Sequence, residues 1–334
     1  MNLQDFNYEL PPELIAQYPS RRRDDARLMF IDRAKSKITH DIFRNIGKHL
    51  PAESMLVVNN SKVIPARLLG KRQKTGGQVE VFLLKKIDDN RYEALLKPLK
   101  KIKVDEPLEF PGGVIAYLED KEQRIVRFNK KDIEAHLARI GHIPLPPYIT
   151  REDNAQDRKE YQTVYARHAG SVASPTAGLH FTRPLLTKLK NSGHAVVSLT
   201  LHIGYGTFKP VECEDITQHA MHWEDYSITR ATFARVRKAK EEGKKIVAVG
   251  TTSCRVLEAA SQSGQLNGST NIFIYPGFSF RMLDCLITNF HLPLSTLLML
   301  VYAFGGTGLM KRAYADAIRE KYRFYSYGDG MLIL

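Results

Sequence analysis

The stretch Ile246-Val247-Ala248-Val249-Gly250-Thr251-Thr252-Ser253 decides the fold class. Four consecutive apolar residues, three of them β-branched, are too few for a helix and read as a strand buried on both faces. Gly250 ends the run and helical spacing resumes over 255–261, which leaves Thr251, Thr252 and Ser253 in the turn between. A buried strand feeding a helix is the unit of a sheet covered by helices. Outward from it, the same alternation predicts strands at 195–202, 272–275 and 284–288, and helices at 231–242, 295–304 and 309–321. Met55-Leu56-Val57-Val58, ahead of Asn59-Asn60-Ser61, adds a further strand. The expectation is an α/β domain with a mainly parallel sheet, assembled from residues 1–60 and 150–334.

Between these two parts the pattern changes to period two. Gln78-Val79-Glu80-Val81-Phe82-Leu83-Leu84 follows the turn Thr75-Gly76-Gly77, and Arg91-Tyr92-Glu93-Ala94-Leu95-Leu96 follows Asp88-Asp89-Asn90. With further strands at 113–118 and 124–128, closely spaced hairpins predict an antiparallel β-barrel domain inserted at 61–149. A helix over 131–140 is stopped by Gly141 and by Pro144, Pro146 and Pro147, and the charged stretch 151–159 reads as a linker.

The 334 residues carry 49 Lys and Arg against 36 Asp and Glu, a net charge of +13 that favours encounter with polyanions. The strongest excess falls in 61–103, with twelve cations against four acids, and Arg67, Lys71, Arg72, Lys97, Lys100 and Lys101 are the candidates for RNA phosphates. Arg21-Arg22-Arg23 and Arg27 form a second basic cluster. Cys213, Cys254 and Cys285 lie far apart without a C-x-x-C pattern, so neither a disulfide framework nor a zinc knuckle is expected. Met1-Asn2-Leu3-Gln4-Asp5-Phe6 lacks the basic start and apolar core of a secretory signal. The apolar run 297–304 is far below the roughly 20 residues of a membrane span. A cytoplasmic monomer without membrane association is the expectation.

Neither a G-x-x-x-x-G-K-[ST] loop nor a complete dinucleotide fingerprint is present, which counts against ATP hydrolysis and hydride transfer. His219 and His222 stand three apart without a further ligand cluster, so no metal is expected. Thr251, Thr252 and Ser253 suit a carboxylate or phosphate at a helix start, although Ser253 equally suits the cap of a helix beginning at Cys254. His180, His202 and His291, each beside Gly or Pro, are the candidate proton carriers. In the tail Tyr322-Arg323-Phe324-Tyr325-Ser326-Tyr327-Gly328-Asp329-Gly330, Tyr327 and Asp329 are the site candidates and the aromatics suit an unpaired base.

Several motifs resemble those of the S-adenosylmethionine:tRNA ribosyltransferase-isomerase family of queuosine biosynthesis. They are Asn59-Asn60-Ser61-Lys62-Val63-Ile64-Pro65-Ala66-Arg67-Leu68, Ser174-Pro175-Thr176-Ala177-Gly178-Leu179-His180-Phe181-Thr182, and His202-Ile203-Gly204-Tyr205-Gly206-Thr207-Phe208. Met221-His222, Val249-Gly250-Thr251-Thr252-Ser253, Tyr275-Pro276-Gly277, Thr288-Asn289-Phe290-His291-Leu292-Pro293-Leu294-Ser295-Thr296 and the tail complete the match.

The resemblance implies an α/β domain interrupted by a β-barrel. It also implies transfer of the ribosyl part of S-adenosylmethionine to the amine of 7-aminomethyl-7-deazaguanine at the wobble position of tRNA. Epoxyqueuosine, adenine and methionine would be the products, with S-adenosylmethionine consumed as substrate and neither metal nor cofactor needed. Asn59, Ser174, Thr176, Gly178, Tyr275, Asn289, Ser295 and Thr296 then join Arg23, Arg27, Thr251, Thr252, Ser253, Tyr327 and Asp329 as substrate-binding candidates. A base must remove a proton beside the sulfonium, from His180, His202 or His291 or from the substrate amine itself. Thr251 to Ser253 would hold the methionine carboxylate, and Asp329 would face a cationic group. A noncatalytic RNA-binding protein and an S-adenosylmethionine-dependent tRNA methyltransferase are the alternatives, separable by product analysis.

Overall fold

Strand Ile246–Val249 occupies the middle of a large sheet, with every residue buried. The computed structural model describes residues 1–208 and 211–334. Contacts divide them into a larger unit, Met1–Lys62 with Pro146–Arg151 and Glu160–Leu334, and a smaller one, Val63–Leu145 with Glu152–Lys159.

In the larger unit the described residues form a nine-stranded sheet. Its order is Asn267–Thr270, Glu224–Ser227, Ala195–Leu201, Met55–Asn59, Ile246–Val249, Cys285–Asn289, Gly330–Ile333, Arg27–Asp32 and Lys37–Ile42. The residues alternate between two cores. Met55, Val57, Ile246, Ala248, Leu286, Met331 and Ile333 enter one hydrophobic cluster, while Leu56, Val58, Val247, Val249, Ile287 and Leu332 enter the other. Successive side chains of a strand point to opposite faces, so a one-residue slip would exchange the two sets. Helices Thr251–Ser263, Thr296–Gly305 and Thr307–Arg319 cover the first face, with Val256, Leu300 and Ala313 fully or almost fully buried. Helix Arg183–Asn191 covers the second through Leu185 and Leu189.

The sheet is parallel only in part. Ala195–Leu201, Met55–Asn59, Ile246–Val249 and Cys285–Asn289 run parallel, as do Arg27–Asp32 and Gly330–Ile333, but the other four pairings are antiparallel. One crossover helix brings a chain back to the starting end and yields a parallel neighbour. Two helices, Thr296–Gly305 and Thr307–Arg319, separate Cys285–Asn289 from Gly330–Ile333, and these two strands pair antiparallel. The strand expected at 272–275 is not formed. The edge strand is instead Asn267–Thr270, which pairs with Glu224–Ser227. None of the described helices is long and apolar enough to cross a membrane.

The smaller unit carries an antiparallel sheet in the order Gly141–His142, Arg67–Arg72, Gln78–Lys86, Arg91–Lys97, Ile125–Phe128, Val114–Asp120 and Pro107–Phe110. The last strand also pairs with Arg67–Arg72, Lys71 opposite Glu109 and Arg72 opposite Leu108. Residues 152–159 pack within this unit, where Asp153 accepts from His142 Nδ1 at 2.9 Å and from the Ile143 N–H at 3.0 Å. The basic run is less one-signed than its sequence window. Arg67 pairs with Glu80 at 3.1 Å, Lys71 with Glu109 at 3.7 Å, and Arg72 with the buried Glu106 at 2.8 Å. Glu106 and Glu109 lie beyond the 61–103 window, and strand pairing brings them beside the cations. Lys97, Lys100 and Lys101 remain exposed.

Candidate active site

A cavity opens at the carboxyl ends of the parallel strands, where open α/β sheets bind ligands. Gly250, Thr251, Thr252 and Arg255 line it after the strand Ile246–Val249, and Thr288, Asn289, Phe290 and His291 at and beyond the end of Cys285–Asn289. Ser174, Thr176, Ser295, Tyr148, Tyr161 and Tyr325 complete much of the wall.

The polar triplet lies inside the helix, not in a turn before it. Gly250 takes φ +90°, a conformation that L side chains rarely adopt, and caps a helix beginning at Thr251. The first N–H groups of that helix have no intrahelical partner and favour an anion. Ser253 neither lines the cavity nor caps a helix at Cys254, because its buried hydroxyl donates to the Val249 carbonyl at 2.9 Å.

Two residues further on, Arg255 reaches the cavity although it is only 4% exposed. Its Nη1 pairs with Glu224, its Nε donates to the Ile272 carbonyl at 3.4 Å, and its Nη2 has no partner among the described residues. Glu224 also accepts from the Gly204 N–H at 3.1 Å and the Thr207 hydroxyl at 3.2 Å. A buried guanidinium with an unmet donor, beside a helix N-terminus, is chemically suited to a carboxylate. Arg255 is not among the residues that the sequence motifs single out. Its signal was a lone cation within Cys254-Arg255-Val256-Leu257, an otherwise apolar stretch of a helix.

A smaller recess, lined by Arg23, Glu160, His180, Tyr327 and Ser326 among others, shares Ser326 with the cavity. Asn289 ties the two together. Its Oδ1 meets His180 Nε2 at 3.3 Å, and its Nδ2 donates to the carbonyls of Tyr325 at 2.8 Å and Ser326 at 3.4 Å. Burial pushes the His180 pKa down to about 4, against the upward pull of the Asn289 hydrogen bond. Burial also lowers that of His291, whose Nε2 lies 2.7 Å from the Thr288 hydroxyl. Both imidazoles are neutral at pH 7, and their weak basicity suits hydrogen bonding better than proton abstraction.

The unfolded chain takes up a proton at His180 near pH 6.5, before the folded one does, so stability rises with pH between about 4 and 6.5. The urea midpoint should therefore fall from pH 7 to pH 5. His180→Gln should make that fall shallower, with the buried His291 keeping part of it, and an unchanged slope would show that His180 is not buried neutral.

Other candidates have structural partners. Asn59 lies buried beside the cavity, donating to Thr252 Oγ1 at 3.3 Å and to the Leu201 carbonyl at 3.0 Å. Ser295 caps the helix Thr296–Gly305 by accepting from the Leu298 N–H at 3.2 Å; Thr296 begins that helix and does not line the cavity. Asp329, expected to face a ligand cation, is buried and accepts from the N–H groups of Arg27 and Arg323, each at 2.8 Å. The Arg27 guanidinium sits 3.9 Å from the Tyr322 ring centroid. His202 lines neither space and lies against Gly170, while Tyr275 packs on Phe273. Gly178 is a packing position: a Cβ there would lie 2.1 Å from the Tyr165 hydroxyl. Gly178→Ala should lower the melting temperature, and an unshifted transition would mean that Tyr165 moves freely.

A family model described as "Queuosine biosynthesis protein" matches residues 3–333. The S-adenosylmethionine:tRNA ribosyltransferase-isomerase of Sulfurihydrogenibium sp. (strain YO3AOP1) is 51% identical over 336 residues, and that of Carboxydothermus hydrogenoformans 48% over 341, each alignment covering 100% of both chains. The crystal structure of S-adenosylmethionine tRNA ribosyltransferase from Thermotoga maritima aligns with a TM-score of 0.58 at 36% identity, covering 99% of this chain and 100% of that one. Identity at this level along the whole length leaves no segment outside the match, and the chain belongs to the queuosine biosynthesis protein family of S-adenosylmethionine:tRNA ribosyltransferase-isomerases.

Proposed function

We propose that this protein transfers and isomerises the ribosyl moiety of S-adenosylmethionine onto 7-aminomethyl-7-deazaguanine at the tRNA wobble position, giving epoxyqueuosine and releasing adenine and methionine. Within the cavity, the observation that supports this most is the unmet Arg255 Nη2, next to the first turn of the helix Thr251–Ser263. It supplies what the methionine carboxylate of the small substrate requires. The aromatic walls Tyr148, Tyr161 and Tyr325 offer surfaces for adenine. The recess with Arg23, Glu160, His180 and Tyr327 takes the deazaguanine, and Ser326 marks where the two ligands meet.

The sulfonium acidifies the neighbouring 5′-carbon, and adenine leaves with a proton. With His180 and His291 both depressed in pKa, the substrate amine is the favoured base, and the imidazoles orient ligands. S-adenosylmethionine is consumed, and this reaction calls for neither metal nor cofactor. The smaller unit is read as a barrel, from the additional pairing of Arg67–Arg72 with Pro107–Phe110; its exposed Lys97, Lys100 and Lys101 are available to tRNA phosphates. The protein acts as a cytoplasmic monomer.

The test is mass spectrometry after incubation with S-adenosylmethionine and tRNA bearing 7-aminomethyl-7-deazaguanine. Adenine, methionine and an epoxycyclopentyl mass gain on the wobble base are expected. S-adenosylhomocysteine would indicate methyl transfer instead, and bound but unchanged tRNA would leave only RNA binding.

A further inference from the structure

Among the described residues, Tyr18 is one of two aromatic side chains standing well exposed, at 59%. An exposed aromatic on a mobile loop needs no explanation, but the backbone around this one is tied down. The Gln17 carbonyl accepts from Arg151 Nε at 3.0 Å, and Gln17 Nε2 donates to the Tyr148 carbonyl at 2.9 Å. The guanidinium of Arg323 reaches the Tyr18 carbonyl at 3.4 Å and also bonds the Ser20 hydroxyl. The Arg151 guanidinium lies over the Tyr18 ring, 4.4 Å from its centroid. The chain then runs directly into Pro19, Ser20 and Arg23, which line the recess, past the exposed Arg21 and Arg22.

Held in this way, the ring forms a platform before any partner arrives. An arginine-backed aromatic face stacks on any unpaired base, and the flanking arginines attract its phosphates. Resting on the tRNA reading above, we propose that Tyr18, backed by Arg151 and flanked by Arg21 and Arg22, stacks on the unpaired nucleotide next to the base being modified. The platform thereby docks the anticodon loop over the recess. Specific reading of single-stranded RNA relies on such splayed, stacked bases. Lys97, Lys100 and Lys101 offer charge without an aromatic partner, and so suit phosphates rather than a base.

The experiment is fluorescence anisotropy with a labelled RNA hairpin carrying the anticodon stem and loop, which requires no turnover. Tyr18→Ala should weaken binding on the order of 10-fold, and Tyr18→Trp should restore it. Trp223→Ala, at the other well-exposed aromatic (67% exposed), is the control and should bind as the parent does. Unchanged affinity in Tyr18→Ala, an equal loss in Trp223→Ala, or no rescue by tryptophan would overturn the platform. Because binding is read directly, a protein that binds the hairpin but releases no adenine with tRNA bearing 7-aminomethyl-7-deazaguanine would sink the ribosyl-transfer reading and leave the platform standing.

Discussion

Arg255→Met should nearly abolish adenine release and at the same time cost about 3–5 kcal/mol of stability. The stability loss comes from Glu224, which keeps the Gly204 N–H and the Thr207 hydroxyl but loses its countercharge in a buried position. The activity loss comes from the unmet Nη2, the group assigned to the substrate carboxylate. The two effects separate in the double variant Arg255→Met/Glu224→Gln, which removes both charges. Its urea midpoint should recover much of the loss while turnover stays low. Arg255→Lys keeps the charge but lacks the planar fork, so its KM for S-adenosylmethionine should rise. A double variant turning over at the parental rate would remove Arg255 from the substrate site.

Glu258→Ala should be the most damaging substitution away from the cavity. This fully buried carboxylate accepts from the N–H groups of Arg281 at 2.8 Å, Met282 at 3.0 Å and Leu283 at 3.0 Å. It thereby fastens the helix Thr251–Ser263 to the loop that delivers the strand Cys285–Asn289. Alanine leaves three donors without an acceptor, at a cost of about 3–5 kcal/mol. Glu258→Gln retains one acceptor oxygen and should lose less. Both midpoints follow from chemical denaturation, and an alanine variant as stable as the parent would mean that water takes over the three bonds.

Legibility in the sequence depended on whether a residue's partner was near in the chain. Ile246–Val249 was readable to the residue, because four buried positions in a row are a local signal. The edge strand Asn267–Thr270 was not, since Asn267, Gly268 and Ser269 are exposed and offer no apolar alternation. The apolar residues from 272 onward, mistaken for that strand, pack on the core without joining a ladder. Hydroxyl-bearing residues favour turns, so the sequence suggests a helix from residue 255; the positive φ of Gly250, which allows the helix to begin at Thr251, leaves little trace in the sequence.

The site shows the same division. Ser174, Thr176, Thr251, Thr252, Asn289, His291 and Ser295 meet at one cavity, and Arg23, His180 and Tyr327 at the adjoining recess. Asp329 looked like a ligand partner because the two backbone donors that occupy it belong to Arg27 and Arg323, the first of them some three hundred residues away. Arg72 looked like an RNA contact because Glu106 is 34 positions distant.

Among the described residues, the hairpin of Arg27–Asp32 and Lys37–Ile42 joins the rest of the large sheet only through Gly330–Ile333, which lies between it and Cys285–Asn289. During synthesis the hairpin emerges some three hundred residues ahead of the strand it pairs with. A chain that has not reached residue 330 therefore carries an unpaired β edge along Leu28–Ile31, without the packing of Met331, Leu332 and Ile333. Until residues 330–333 follow, that edge can pair with another chain, and it is their docking between Arg27–Asp32 and Cys285–Asn289 that closes it.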